Sequence, residues 1–442
     1  GISQLYQSLF NPDLVREALA GDPDHEVEKA AKELNLEKVL DSGKPPLVEI
    51  VTPVLGSSLS ANRVKAEGII SDQGGGIGRI EWRVNGITFV EYPPPGVDKT
   101  HSVSRMLPLY PGENAIELVA YNAKNLIASV AARASVTSTA PKGEAERLHV
   151  IVFGLNDYGG TGLPNLRYAV PDAKAIGRAL KEAGKGRYTS VSLTAVLDPG
   201  TVPSEDMDHL FEATSEGLEK ALKAVAQEAE VQDTFVFFAA GHGAAVQGRF
   251  HLLAKDYHRE GDTDASIRRY GISQEKLQAW IANIKAGRGL ILLDTCESGA
   301  AVTGASRNDA DAALGKLHEA TGRPVISAAN VSQAALEGYQ GHGVFTFAIL
   351  DALVNGDTNQ NGAIEVSEIA TWVQTKTPVL SKELREKGDR GIALGFASQG
   401  YTERMSGRDV VGAFPDQMSA QKPRTGSRGE DFSLVQKLAA LS

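Results

Sequence analysis

Phe235-Val-Phe-Phe-Ala-Ala-Gly241-His242-Gly243 and Gly289-Leu-Ile-Leu-Leu-Asp294-Thr-Cys296-Glu-Ser-Gly299 decide how this chain folds. Each is a short apolar run bounded by glycine, the pattern of a strand buried on both faces of a parallel sheet. Each ends at a residue able to do chemistry: a histidine, then the single cysteine of the 442-residue protein. Ligands of open α/β sheets bind outside the carboxyl ends of the strands. His242 and Cys296 are therefore expected just past two strand ends, sharing one crevice. A thiol beside an imidazole is a nucleophile with its base. The backbone N–H groups of Gly243 and Cys296 are candidates for an oxyanion hole.

Strands are expected at 148–154, 189–197, 234–240, 289–295 and 324–329, with amphipathic helices between them. Pro171 opens one helix, running from Asp172 to Ala183. Leu218, Leu222, Val225 and Ala229 mark a second. Leu277, Trp280, Ile281 and Ile284, after an N-cap at Ser273, mark a third that Gly287 should end. This alternation predicts an α/β domain over 147–400, a mostly parallel sheet flanked by helices. Upstream, 46–139 reads as short alternating strands separated by turns such as Asn85-Gly86 and Pro111-Gly112, the rhythm of an all-β immunoglobulin-like sandwich. Residues 1–45 read as a polar helical segment, and 401–442 as a flexible tail with a short helix near Leu434–Leu441.

The net charge of -10 and the lack of a basic block argue against a nucleic-acid partner. No apolar run reaches the roughly 18 residues of a membrane span, and no apolar leader opens the chain, so no membrane partner and a cytoplasmic location are expected. One cysteine cannot form an internal disulfide.

The two motifs, with Val150-Ile-Val-Phe-Gly-Leu-Asn-Asp-Tyr158, Leu166-Arg-Tyr-Ala-Val-Pro-Asp172 and Gly343-Val-Phe-Thr-Phe, resemble the caspase-like cysteine peptidases (family C14), bacterial metacaspase-like members in particular. The resemblance implies a caspase-haemoglobinase fold with His242 and Cys296 as catalytic dyad. It also implies an S1 pocket lined by Asp172 and Asp294, which would receive Arg or Lys at P1, although Pro171 and Ala240 depart from the metacaspase pattern. The reading is then a cysteine endopeptidase acting on a protein substrate, needing no cofactor for its chemistry, and activated by cleavage, a partner protein or calcium. Cleavage would fall in 300–323, which holds Arg307, Lys316 and Arg323. Alternatives are a catalytically silent binding scaffold and a thiol transpeptidase on the same fold. A second Gly-His-Gly, at 341–343, precedes a helical run and ranks below His242 as the base. Asp357, Asn359, Asn361, Ala363 and Glu368 follow the spacing of an EF-hand loop and are candidate calcium ligands. Asp256, Asp262 and Asp264 make another acidic loop.

Overall fold

The structure, a computed structural model, describes residues 41–91, 93, 99–140, 146–246, 249–297, 321–328, 337–388, 424–426 and 431–439; for 245, 296–297, 337–338, 384–388 and 424–426 it describes the backbone alone. The expected helical segment at 1–45 lies almost wholly outside these residues.

The first part of the chain is a β-sandwich. Its strands are β1 (Leu47–Thr52), β2 (Ser57–Leu59), β3 (Arg63–Ser71), β4 (Ile80–Val84), β5 (Ile87–Glu91), β6 (Thr100–Pro108), β7 (Gly112–Ala120) and β8 (Ala132–Ser138). They form a three-stranded sheet, β1-β3-β6, and a five-stranded sheet, β2-β8-β7-β4-β5. β3 alternates buried and exposed side chains, as a strand with one face on the core must. Trp82, Ile70, Ile80 and Leu118 fill the space between the sheets.

The second part follows as β9 (Arg147–Gly154), α1 (Ala169–Ala183), β10 (Ser190–Leu197), β11 (His209–Glu212), α2 (Ser215–Glu228), β12 (Thr234–Val246), β13 (Arg249–Leu252), α3 (Thr263–Tyr270), β14 (Ile272–Ser273), α4 (Gln274–Ile281) and β15 (Arg288–Glu297). It continues with β16 (Val325–Ser327), β17 (Glu337–Tyr339), β18 (His342–Gly343), α5 (Val344–Asn355), β19 (Ala363–Glu365), α6 (Val366–Gly388), β20 (Arg424–Gly426) and β21 (Ser433–Gln436). The sheet order is β11-β10-β9-β12-β15-β16-β20, parallel from β11 to β16. One apolar core packs α1, α5 and α6 against one face of this sheet, and a second packs α2 and α4 against the other. With both faces covered, the central strands carry the unbroken Val/Ile/Phe/Leu runs seen in the sequence.

Three expectations need correction. His242 and Cys296 lie inside their strands rather than past the ends. The parallel ladder runs on to Gly243 opposite Glu297, and β12 then continues in antiparallel pairing with β13. The third helix stops at Ile281 with Ala282 as its cap, short of Gly287, whose N–H goes to the Val231 carbonyl. Ser433–Gln436 is a strand, not a helix: it pairs with β19 and buries Leu434 and Val435, a pairing that helical spacing alone could not reveal.

The sandwich contacts the α/β part directly. Arg63 pairs with Glu230 at 3.0 Å, and the Tyr110 ring packs so close to Gly287 that a Cβ there would stand 2.2 Å from it. Arg323, 1% exposed, sends its guanidinium to the carbonyls of Ile284, Ala286 and Arg288. That burial removes Arg323 from the expected cleavage loop. Arg307 and Lys316 lie outside the described residues.

Candidate active site

Parallel pairing of β12 with β15 sets His242 directly opposite Cys296, with Ala240 opposite Asp294 one step earlier on the same face. The two glycines around His242 are required by close packing. A Cβ at Gly241 would sit 2.8 Å from the Tyr158 hydroxyl, and one at Gly243 would sit 2.9 Å from the Phe250 ring. The Tyr158 hydroxyl accepts from the His242 backbone N–H at 2.7 Å and donates to the Leu253 carbonyl at 3.1 Å. The Tyr158 ring lies tilted against the imidazole, 4.4 Å between centroids. Tyr158 carries no charge and breaks no pattern in the sequence, which is why its positioning role was not legible there.

Nε2 of His242 lies 2.8 Å from the Pro164 carbonyl oxygen. A carbonyl can only accept, so Nε2 carries the proton and Nδ1 is left with its lone pair. Nδ1 has no hydrogen-bond partner among the described residues, although His242 is only 3% exposed. The loop that presents Pro164 is held by its own bonds, Tyr158 N–H to Asn165 Oδ1 and Thr161 Oγ1 to the Tyr158 carbonyl. Burial lowers the pKa of His242 to about 4, against a small opposing effect of the Pro164 carbonyl. The imidazole is thus neutral and held in one tautomer, with Nδ1 unmet by any described side chain.

Asp172 and Asp294, from α1 and β15, converge on Gly343. A Cβ at Gly343 would stand 3.0 Å from Oδ2 of each. Asp172 accepts from His342 Nδ1 at 2.7 Å and from the Gly343 N–H at 3.0 Å. The Thr346 hydroxyl, on the first turn of α5, donates to Asp294 Oδ2 at 2.6 Å. Burial pushes the Asp172 carboxyl above its ordinary value, against the pull of His342, Gly343 and Thr346. The second Gly-His-Gly therefore places its histidine on Asp172, from the β17–β18 hairpin and not from the β12–β15 ladder.

The loop proposed for calcium is closed on itself. Asp357 accepts from the N–H groups of Asn361 and Gly362, and Asn361 Oδ1 from that of Ala363. Asn359 gives its amide to Glu365. Glu368 accepts from the N–H groups of Thr358, Asn359 and Glu365, and its pKa falls to about 2, these hydrogen bonds outweighing desolvation. Lys437 stands 3.8 Å from Asp357. No group of three or more His, Cys, Asp or Glu among the described residues is placed to hold a metal ion. In the other acidic loop Asp262 caps α3 and Asp256 accepts from the Ser215 N–H.

The caspase-domain model of the C14 peptidases matches residues 147–388. The chain belongs to this family. The match begins at β9 and ends with α6, so it holds β12, β15 and both aspartates. No curated protein matches the chain. Among solved structures, a Geobacter sulfurreducens protein aligns at 15% identity over 67% of this chain and 99% of its own, with a TM-score of 0.39. The fibronectin(III)-like modules of Clostridium thermocellum CbhA align at 20% identity over 22% of this chain and 100% of theirs, with a TM-score of 0.18. No helix among the described residues of this caspase-domain protein is long and apolar enough to cross a membrane.

Proposed function

We propose that the protein is a cysteine endopeptidase that cleaves protein substrates after Arg or Lys. The observation that carries this reading is Nδ1 of His242, a buried lone pair that meets no partner among the described residues and is set in register with the backbone of Cys296. In the mechanism, Nδ1 takes the thiol proton as the sulfur attacks the scissile carbonyl, and the imidazolium then protonates the leaving amine. The Pro164 carbonyl holds the ring in its orientation and accepts from the charged ring as it did from the neutral one. The N–H groups of Gly243 and Cys296 receive the oxyanion. Water then enters for the amine and releases the acid. Asp172 and Asp294 receive the P1 cation through charge-assisted hydrogen bonds.

The test is digestion of an unbiased peptide library by the wild-type chain and by Cys296→Ala. Cleavage after Arg and Lys by the wild type alone supports the reading. Identical behaviour of the two proteins overturns the dyad, and preferential cleavage after Asp overturns the specificity. An added amine in the same assay separates hydrolysis from transpeptidation by whether water or the amine takes the acyl group.

A further inference from the structure

The acidic pair offered to a P1 cation already has an occupant. β17 and β18 form a two-residue hairpin whose turn residues, Gln340 and Gly341, have φ of 50° and 87°. Two consecutive positive φ angles are the mark of the turn that best matches strand twist. The hairpin delivers His342 onto Asp172 Oδ1, while the next residue's N–H meets Oδ2. Thr346 supplies a hydroxyl to Asp294. The carboxylates are thus met by an imidazole N–H, a backbone N–H and a hydroxyl, all donors. A guanidinium or ammonium could satisfy the same acceptors.

These donors differ in their freedom to leave. The Gly343 N–H is fixed in the backbone, and Thr346 is fully buried on a helix. His342 keeps 26% of its side chain exposed, against 4% for the carboxylate it meets. It also lines a cavity of about 530 Å³ together with Pro171, Ala175, Phe347 and Leu350, space into which the ring can turn. Lys174, Arg178 and Glu182 line that cavity too.

We propose that His342 is a specificity-determining residue, an internal stand-in that holds Asp172 of the acidic S1 pair until a basic P1 side chain displaces it. This rests on the reading of Asp172 and Asp294 as S1. It makes binding of a basic P1 an exchange of one donor for another, so that an uncharged P1, unable to replace the imidazole, is refused.

The test uses the full chain. For the wild type, His342→Ala and His342→Asn, kcat and KM are measured on peptides differing only at P1 (Arg, Lys or Ala). In parallel, benzamidine binding is followed by calorimetry and by histidine ring resonances in Cys296→Ala and Cys296→Ala/His342→Ala. Removing the stand-in should lower KM for P1 Arg and tighten benzamidine by about threefold to tenfold, the scale of a partly exposed charged hydrogen bond. Ala at P1 should gain less, and benzamidine should shift the His342 resonance. Asn, which keeps an N–H donor, should fall between; it carries the test if the alanine variant does not fold. Equal benzamidine affinity and equal P1 discrimination in all variants, with a wild type that prefers Arg and Lys, overturn the stand-in alone. A wild type without that preference and without benzamidine binding overturns the S1 reading, and this inference with it.

Discussion

Protonating His242 costs free energy that the structure lets us size. The drop in its pKa from 6.5 to about 4 corresponds to about 3 kcal/mol against the imidazolium, at about 1.4 kcal/mol per pH unit. A thiolate would work against this. Two unit charges about 4 Å apart attract by about 4 kcal/mol at an effective dielectric near 20. The thiolate, however, carries its own desolvation cost, so the balance tips to a neutral thiol beside a neutral imidazole at rest. The perturbation is acid, applied to the full chain with and without Cys296→Ala. Hydrogen–deuterium exchange at the histidine C2 position, read peptide by peptide, gives the titration midpoint of His242. We expect a midpoint near 4 in Cys296→Ala and a rise of less than about one unit with the thiol present. The linkage sign follows. The unfolded chain binds this proton more readily, so the His242 contribution to stability is complete above pH 6.5 and is lost as pH falls towards 4. His242→Asn should flatten that slope. A midpoint at or above 6 in Cys296→Ala would refute the buried neutral base, and a rise to 7 or more with the thiol present would replace the neutral pair by a thiolate–imidazolium pair.

Tyr158→Phe leaves the His242 N–H and the Leu253 carbonyl without the hydroxyl they share; a loss of about 2–4 kcal/mol in urea unfolding is expected, with kcat reduced more than KM changes. Thr346→Val removes the hydroxyl on the buried Asp294 and should cost about 1–3 kcal/mol while raising KM for P1 Arg more than for P1 Ala, both read from the same peptide series. Arg323→Met strips the donor from the Ile284 and Ala286 carbonyls and should lower the thermal midpoint by several degrees, on the order of 3 kcal/mol, without changing P1 preference; an unchanged midpoint in a thermal melt would show that these contacts contribute little.

The strands that carry His242 and Cys296 were legible because burial on both faces leaves an unbroken apolar run. What followed those runs was not. Continuation of β12 into β13 depends on the antiparallel partner at Arg249–Leu252, and no local pattern at His242 announces it. Leu434, Val435 and Leu438 suit a helical stripe as well as a strand, and only the free edge of β19 decides between them. Arg323 reads as a surface cation in a polar stretch, yet the carbonyls of Ile284, Ala286 and Arg288 accept from its guanidinium inside the protein. The Pro164 carbonyl is a backbone atom, so residue type could not mark it as the group that sets the tautomer of His242.

The two Gly-His-Gly tripeptides show how context assigns opposite work to one sequence. In the first, both glycines sit in an extended ladder where neighbouring rings leave no room for Cβ, and the histidine is sealed between Tyr158 and an acceptor-only carbonyl. That environment penalises the cation and frees one lone pair, as a base for a thiol requires. In the second, Gly341 makes a hairpin turn at positive φ and Gly343 lets two carboxylates close on its Cα. Its histidine meets a carboxylate instead of a carbonyl, at the edge of a cavity rather than beneath a ring. Neither imidazole could serve in the other's place. The first lacks an anion to hold or yield, and the second has its Nδ1 committed to Asp172. On the proposed reading, proton transfer and substrate selection fall to separate histidines, so a substitution at 342 should move KM and P1 preference while a substitution at 242 should abolish turnover.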